Sequence, residues 1–164
     1  MIITTKRGDI LSNDERRIAF PINTEGVLND TFAGIIAQRY WRDLATIGST
    51  KLGTVLTKKT EGIELFALCC YSLQHGWHDQ EGIINKCFND ISGDEPVASI
   101  AIGTEFLDIK SGANVDLIQA GMHTSDKKII LYYPEVKLTH LIVSAKKRDL
   151  TISLFCCFSS LFLL

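Results

Sequence analysis

The chain has 164 residues, which is the length of one domain and enough to bury a hydrophobic core. Its 46% hydrophobic content and formal net charge of −2 exclude a disordered or collagen-like protein. The 17 Lys and Arg residues are scattered, so no basic surface for nucleic acid is predicted. The five cysteines are odd in number and lack C-x-x-C spacing, which predicts neither a disulfide framework nor a zinc site. We expect a reduced, cytoplasmic protein without a signal peptide, cofactor or metal, and a monomer.

Short apolar runs alternate with segments of helical period, which predicts one α/β domain over residues 1–149. Two runs, 63–71 and 97–102, are almost continuously apolar and are typical of strands covered on both faces, so we place them in the middle of the sheet. The predicted strands are residues 1–5, 17–23, 52–58, 63–71, 97–103 and 128–133, with 138–144 as a further candidate.

Three helices are predicted from apolar residues that recur every three or four positions. The first follows the candidate caps Asn29 and Asp30, the second follows Asp79, and the third begins at Asn114. The residues expected to face the core are Phe32, Ile35, Ile36 and Tyr40, then Ile83, Ile84, Cys87, Phe88 and Ile91, then Val115, Ile118 and Met122.

Residues 150–164 differ from the rest of the chain because they contain no charged residue and no glycine. This apolar C-terminal tail is too short to span a bilayer, which needs about twenty apolar residues. It fits a packed tail, a membrane-surface anchor or an extension from a shifted reading frame. We interpret it as a loosely attached tail without a function.

Two strand-to-helix loops are the candidate ligand site, because ligands of open α/β sheets bind beyond the carboxyl ends of the strands. The loops span residues 23–30 and 103–114. Each leads into a helix start, whose unpaired amides and positive dipole end favour a phosphate. No G-x-x-x-x-G-K-[ST], G-x-G-x-x-G or G-x-S-x-G motif occurs, which disfavours kinase-like, dinucleotide-binding and serine-hydrolase mechanisms.

Several segments together resemble the successive loops of macro domains, over roughly residues 1 to 135 of the chain. These segments are Gly8-Asp9-Ile10, the run from Pro21 to Val27, the run from Ile100 to Thr104, the run from Ser111 to Asn114, and the run from Ile129 to Pro134. The resemblance implies a three-layer α/β/α fold with a mixed sheet. It also implies binding of ADP-ribose or an ADP-ribosylated substrate.

The resemblance also implies a role for each matching residue. Asp9 and Ile10 would bind the adenine amino group and a neighbouring atom, and Tyr133 would lie near the adenine face. Asn23 would face the distal ribose, beside Gly26 and Val27. The residues implied to line the diphosphate are Gly103, Thr104, Ser111, Gly112 and Ala113, followed by Asn114 at the helix start.

The catalytic assignment depends on Asn23 and on Asp108, which falls close to an aspartate of one hydrolytic branch of the family. Asp108 could act as a general base toward a water at the ribose carbon. Glu25 and Glu105 are rival carboxylates that rank below Asp108, and a solvated loop carboxylate is the alternative interpretation of Asp108. That branch also uses a lysine after a central strand, where this chain has Cys69-Cys70-Tyr71-Ser72.

A histidine pair, His75 and His78, flanks Trp77 after an apolar strand. We predict a packed loop here rather than a metal site, because no cysteine or carboxylate completes a zinc pattern. Three functions stay open at this stage. The chain could hydrolyse an ADP-ribosyl linkage or ADP-ribose 1″-phosphate, bind the nucleotide without turnover, or act as an interaction protein with a degenerate cleft.

Overall fold

Six strands form one mixed sheet in the order β1, β6, β5, β2, β4, β3. The computed structural model describes residues 1–29, 31–105, 110 and 112–134. All strand pairs are parallel except the antiparallel pair of β3 and β4. The strands are β1 (Ile2–Arg7), β2 (Arg17–Asn23), β3 (Val55–Thr60), β4 (Ile63–Tyr71), β5 (Val97–Ile100) and β6 (Ile129–Tyr133).

The described helices start where the sequence places a side-chain cap. They are α1 (Phe32–Arg39), α2 (Gln80–Asn89) and α3 (Val115–Thr124), with 3-10 turns at Ile10–Ser12 and Arg42–Thr46. Asp79 caps α2 and Asn114 caps α3, as predicted. The cap of α1 is Thr31, whose hydroxyl accepts from the Gly34 amide, and not the predicted Asn29.

Alternating side chains of the central strands bury two apolar layers, one on each face of the sheet. On β4, Phe66 and Leu68 pack with α2 and α3, whereas Leu65 and Ala67 pack with α1. The predicted three-layer α/β/α arrangement with a mixed sheet is therefore confirmed. Ile35 was expected in the buried stripe of α1 but is 42% exposed.

The middle of the sheet differs from the prediction in one respect. Strands β5 and β2 are central, and β4 lies next to the edge because the hairpin partner β3 covers its outer side. Every residue of β2 is buried. The sequence of β2 includes Arg17, Pro21 and Asn23. Because these residues interrupt its apolar run, the hydropathy pattern does not indicate a central strand.

Met1–Pro134 forms one compact unit. The predicted strand at 138–144, the boundary after 149, the tail at 150–164 and the site residues Asp108 and Ser111 lie outside the described residues. Within the described part of the chain, no helix combines the length and the hydropathy that crossing a membrane requires.

Candidate functional site

The parallel strands bring the candidate loops to one edge of the sheet. Strands β1, β6, β5, β2 and β4 run in the same direction, so their carboxyl ends share this edge. The Asp9 segment follows β1, the Gly103 segment follows β5 and the Asn23 loop follows β2. Asn23 and Gly103 therefore belong to the same edge of the sheet, and Gly112 joins them because its neighbour Ala113 packs against Gly103.

One end of this edge is a corner formed by β1 and β6. The Gly8 amide donates to the Tyr133 carbonyl at 3.0 Å, which places Asp9 beside the end of β6. The Asp9 carboxylate accepts from the Leu11 amide at 2.9 Å and from the Ser12 hydroxyl at 3.0 Å. Asp9 is exposed and Ile10 is buried. The three residues predicted for the adenine side, Asp9, Ile10 and Tyr133, therefore lie at the same corner.

The middle of the edge is the segment between β5 and α3. Gly103 has φ of 87°, and a Cβ atom there would meet Ile118 Cδ1 at 2.9 Å and Ala113 Cβ at 3.4 Å. Only glycine fits this close approach without displacing a neighbour. Gly112 also has positive φ, at 90°, but no described residue lies within 4 Å of a Cβ atom placed there. The segment thus packs its first glycine against α3 and leaves its second glycine and the exposed Thr104 accessible.

Gln80, the first residue of α2, fixes the end of this segment. Its side-chain amide donates to the Gly112 carbonyl at 3.1 Å and accepts from the Asn114 backbone amide at 2.6 Å. Both polar groups of one side chain therefore hold the backbone just before α3. This role of Gln80 is not predictable from the sequence, because a glutamine at a helix start carries no signal for a contact across the chain.

The loop after β2 is held by Asn23 itself. The Asn23 side-chain amide donates to the Val27 carbonyl at 2.6 Å and accepts from the Val27 amide at 2.9 Å, and the residue is 1% exposed. Gly26, at φ of 71°, packs so closely on the next loop that a Cβ atom would meet the Gly48 carbonyl oxygen at 2.7 Å. The implied ribose-side residues thus form a rigid turn with Asn23 as its internal brace.

Glu105 joins the two predicted loops. Its carboxylate accepts from the Phe32 amide, in the first turn of α1, at 3.0 Å. A carboxylate is stabilised at this position by the positive end of the helix dipole. The first-turn amide that the sequence analysis assigned to a phosphate is therefore occupied by a side chain of the Gly103 segment.

A cavity of ≈ 460 Å³ opens where the loops after β2 and β4 meet. Its lining residues are mostly polar: Thr24, Glu25, Ser49, Thr50, Leu52, Ser72, Gln74, His75 and His78. Trp77 does not line it but stacks on the buried Tyr71, with ring centroids 5.1 Å apart. Within the described residues, no group of three or more His, Cys, Asp and Glu side chains could hold a metal ion.

Glu25 ties the two walls of this cavity together. Its carboxylate accepts from the Ser72 hydroxyl, from the Leu73 amide at 2.9 Å and from the Gln74 amide at 3.3 Å. Burial acts to raise the pKa of Glu25, but these hydrogen bonds, led by that of Ser72, outweigh burial and lower the pKa to about 2. The cavity wall thus carries a permanent negative charge at neutral pH.

The sequence analysis named Glu25 and both histidines but did not place them in one cavity. Glu25 follows β2 and Ser72 follows β4, and residues that end neighbouring parallel strands meet at one edge. The sequence would therefore predict the contact between Glu25 and Ser72 if β2 and β4 were known to be neighbours. The sequence pattern does not show this, because it does not identify β2 as a central strand.

Comparison with solved structures identifies the architecture. A macrodomain of Mycobacterium tuberculosis DarG superposes with a TM-score of 0.59 at 16% identity, covering 80% of this chain and 97% of that chain. Thermosipho africanus DarTG, in complex with ADP-ribose, gives 0.57 at 12% identity, covering 85% of this chain and 44% of that one. This chain has the macro domain fold.

The macro domain fold also matches part of a larger viral protein. An alphavirus P23pro-zbd structure superposes with a TM-score of 0.57 at 16% identity over 91% of this chain, which spans only 24% of the viral chain. No family model and no curated protein matches the sequence. The relationship is therefore carried by the shared macro domain fold and not by sequence identity.

Proposed function

We propose that this chain binds ADP-ribose or a close derivative along the carboxyl edge of its sheet, and that it hydrolyses an ADP-ribosyl linkage or ADP-ribose 1″-phosphate. One observation carries the proposal. The loops after β1, β5 and β2 end at a common edge, in a fold shared with a DarTG structure that holds ADP-ribose. Ligand binding at this edge is the general rule for open α/β sheets.

The strand order gives the proposed ligand a direction. Adenine would lie at the β1 and β6 corner, the diphosphate at the segment after β5 and the distal ribose at the loop after β2. Backbone amides suit a diphosphate because they donate hydrogen bonds without needing a counter-charge of their own. The proposed contacts are Asp9, Ile10 and Tyr133 for adenine, Gly103, Thr104, Ser111, Gly112, Ala113 and Asn114 for the diphosphate, and Asn23, Gly26 and Val27 for the ribose.

Hydrolysis would need a water held against the distal ribose carbon or the terminal phosphate, which is catalysis by positioning and electrostatic stabilisation. Asp108 is the proposed general base. Asn23 enters this scheme through the turn that it braces, because its amide oxygen and nitrogen are both bonded to Val27. No step requires a metal or a cofactor.

A binding module without turnover is the second candidate function. The observation that favours it is the burial of Asn23, whose 1% exposure leaves it little access to a ribose or a water. Binding and hydrolysis share the diphosphate contacts and differ only at the reacting carbon. A turnover assay therefore separates the two candidates, whereas a binding assay tests both together.

Calorimetric titration with ADP-ribose is the first test, comparing the wild-type chain with Gly112→Glu and Gly112→Gln. Position 112 has φ of 90°, and no described residue lies within 4 Å of a Cβ atom placed there. The two variants have side chains of the same shape and therefore carry a similar backbone strain, but only glutamate adds a negative charge beside the diphosphate. We expect Gly112→Glu to weaken binding by at least about tenfold more than Gly112→Gln.

Asp9→Ala tests the adenine end in the same titration. We expect this variant to bind ADP-ribose more weakly than the wild type does. Equal affinities for all variants, or no heat of binding for the wild type, would overturn the proposal. Incubation with ADP-ribosylated protein and with ADP-ribose 1″-phosphate then distinguishes the hydrolase from the binding module. Release of free ADP-ribose supports the hydrolase.

A further inference from the structure

The cavity beside Glu25 lies next in line after the proposed ribose position. Along the carboxyl edge the strand order is β1, β6, β5, β2, β4, and the cavity lies where the loops after β2 and β4 meet. A ligand that extends from β1 to β2 would therefore point its terminal carbon, C1″, toward this cavity. This inference rests on the proposed function, because it uses the direction of the bound ADP-ribose.

The size of the cavity suits a chemical group rather than a single water. Ligand pockets in proteins commonly enclose about 300 to 1,000 Å³, and this one is ≈ 460 Å³. Besides Glu25, its lining offers hydrogen-bond donors and acceptors from hydroxyl, amide and imidazole side chains, represented by Thr24, Gln74 and His75. These groups can hydrogen-bond an uncharged partner in several orientations.

The charge of the lining is the selective feature. Among the described residues that line the cavity, none is a lysine or an arginine, whereas phosphate sites usually supply one of them. Glu25 contributes a carboxylate, and no described Lys, Arg or His forms a salt bridge with it. A terminal phosphate placed here would face an unneutralised negative charge.

We propose that this cavity receives the group attached to C1″ of ADP-ribose and that Glu25 selects an uncharged, hydrogen-bonding acceptor against a phosphate. Of the two linkages considered above, this assigns the ADP-ribosyl linkage and excludes the 1″-phosphate. Glu25 does two things at once. It clamps Ser72, Leu73 and Gln74 to the loop after β2, and its remaining charge repels anions from the cavity.

The test compares two ligands that differ only at C1″, namely ADP-ribose 1″-phosphate and ADP-ribose carrying an acetamide group at C1″. Their dissociation constants are measured by calorimetry at pH 7.5 for the wild type, Glu25→Gln and Ser72→Ala. We expect the wild type to bind the phosphate about tenfold more weakly than the acetamide, which corresponds to one repulsive charge pair near a protein surface.

The two variants separate the charge of Glu25 from its clamp. Glu25→Gln removes the charge, so the preference for the acetamide should fall to about twofold or less. Ser72→Ala removes one clamp donor and keeps the charge, so the preference should persist even where both affinities fall. If Glu25→Gln does not fold, His78→Lys offers the opposite change at an exposed lining residue and should strengthen phosphate binding.

The outcomes distinguish this inference from the function on which it rests. Loss of all ADP-ribose binding in the wild type defeats the proposed function. Normal ADP-ribose binding defeats only this inference if the phosphate binds as tightly as the acetamide, or if the preference survives in Glu25→Gln. Release of inorganic phosphate from ADP-ribose 1″-phosphate at a rate equal to or above acceptor release would also overturn it.

Discussion

Two charged residues, Arg17 and Glu25, lie at opposite ends of β2. Both hold distant segments of the chain through hydrogen bonds, but they differ in how much of their charge is neutralised. Arg17, at the start of β2, donates to Glu64 at 2.9 Å, to the Glu95 carbonyl at 2.6 Å and to the Ser92 carbonyl. Glu25, just after β2, accepts from the loop that follows β4. Each side chain fastens a distant segment to the sheet, and each lines a cavity.

The difference lies in the remaining charge. Arg17 is paired with Glu64, which also contacts Lys59 at 3.1 Å. The Arg17 guanidinium lies 5.1 Å from the centre of the Phe66 ring. The charge of Arg17 is thus neutralised by partners within the fold. Glu25 is held by neutral donors, so a net negative charge stays at the carboxyl edge of the sheet, where we propose that the ligand binds. A residue that braces a loop can therefore also set the charge of the cavity that the loop lines.

Removing Arg17 should have the largest effect on stability. Arg17→Met leaves the largely buried Glu64 without its main partner and two backbone carbonyls without a donor, which typically costs about 3–5 kcal/mol. Urea unfolding followed by circular dichroism measures the loss. Lys59→Ala, which removes a 79% exposed partner of the same glutamate, is the control and should cost below about 0.5 kcal/mol. Equal effects of the two variants would show that burial of the pair is unimportant.

Glu25→Gln should cost less, about 1–3 kcal/mol at pH 7, because it weakens hydrogen bonds to a charged acceptor without stranding a buried charge. The pKa of Glu25 is lowered to about 2 in the folded chain, against about 4.3 when unfolded. Its stabilisation is therefore fully present above pH 5 and is lost as the pH falls toward 2.

Unfolding free energies measured from pH 2 to 7 should accordingly decline less steeply on acidification for Glu25→Gln than for the wild type. The exposed Asp14 supplies the matched control, since Asp14→Asn removes a carboxylate that is not among the hydrogen-bond partners described for Arg17 or Glu25. A wild-type slope in Glu25→Gln would show that the clamp does not depend on the ionised carboxylate.

Chemical labelling of the Cys69 thiol tests whether the region around the cavity opens locally. Cys69 is fully buried in β4, and burial, reinforced by Cys87 and Glu25, raises its pKa to about 12. Iodoacetamide at pH 8 should therefore label Cys69 in the native protein at least about a hundredfold more slowly than in the urea-unfolded protein, because the thiolate is the reactive form. Peptide mass mapping identifies the labelled cysteine. Rapid native labelling would reveal local opening at the edge where Glu25 lies.

The smallest effect on stability is expected in the turn between β3 and β4. Glu61 and Gly62 both have positive φ, at 49° and 75°, as in the two-residue turns that favour Asn-Gly. Glu61→Asn should stabilise the protein by about 0.5–1 kcal/mol, because asparagine adopts this conformation more readily. Thermal unfolding measures the gain, with Glu61→Gln as a control that changes the charge alone. No gain over Glu61→Gln would exclude a backbone contribution.

Much of the fold could be predicted because it depends on local pattern. The bounds of β2 and β4 agree with the predicted runs, and the caps Asp79 and Asn114 were identified from residue type and position. The strand ends of β5 and the cap of α1 were less accurate. A threonine, an asparagine and an aspartate compete as caps within three positions, and residue type alone cannot decide between them.

The candidate site was predictable as a set of loops but not as an arrangement. The resemblance to macro domains placed Asp9, Asn23 and Gly103 on successive loops, and those loops do share one edge of the sheet. It could not show that the Asn23 amide is occupied by Val27, or that Glu105 occupies an amide of α1. Such contacts depend on side-chain directions after packing, which sequence spacing does not specify.

By itself, the sequence determined the class of fold, the starts of α2 and α3 and the loops that carry glycine at positive φ, because propensity, periodicity and backbone sterics act over a few residues. Only the tertiary structure decided that β2 lies between β5 and β4, and hence that Glu25 meets Ser72 across 47 positions of the chain. Strand order arises from the burial of both faces of the sheet at once, which is a property of the whole domain and of no single segment.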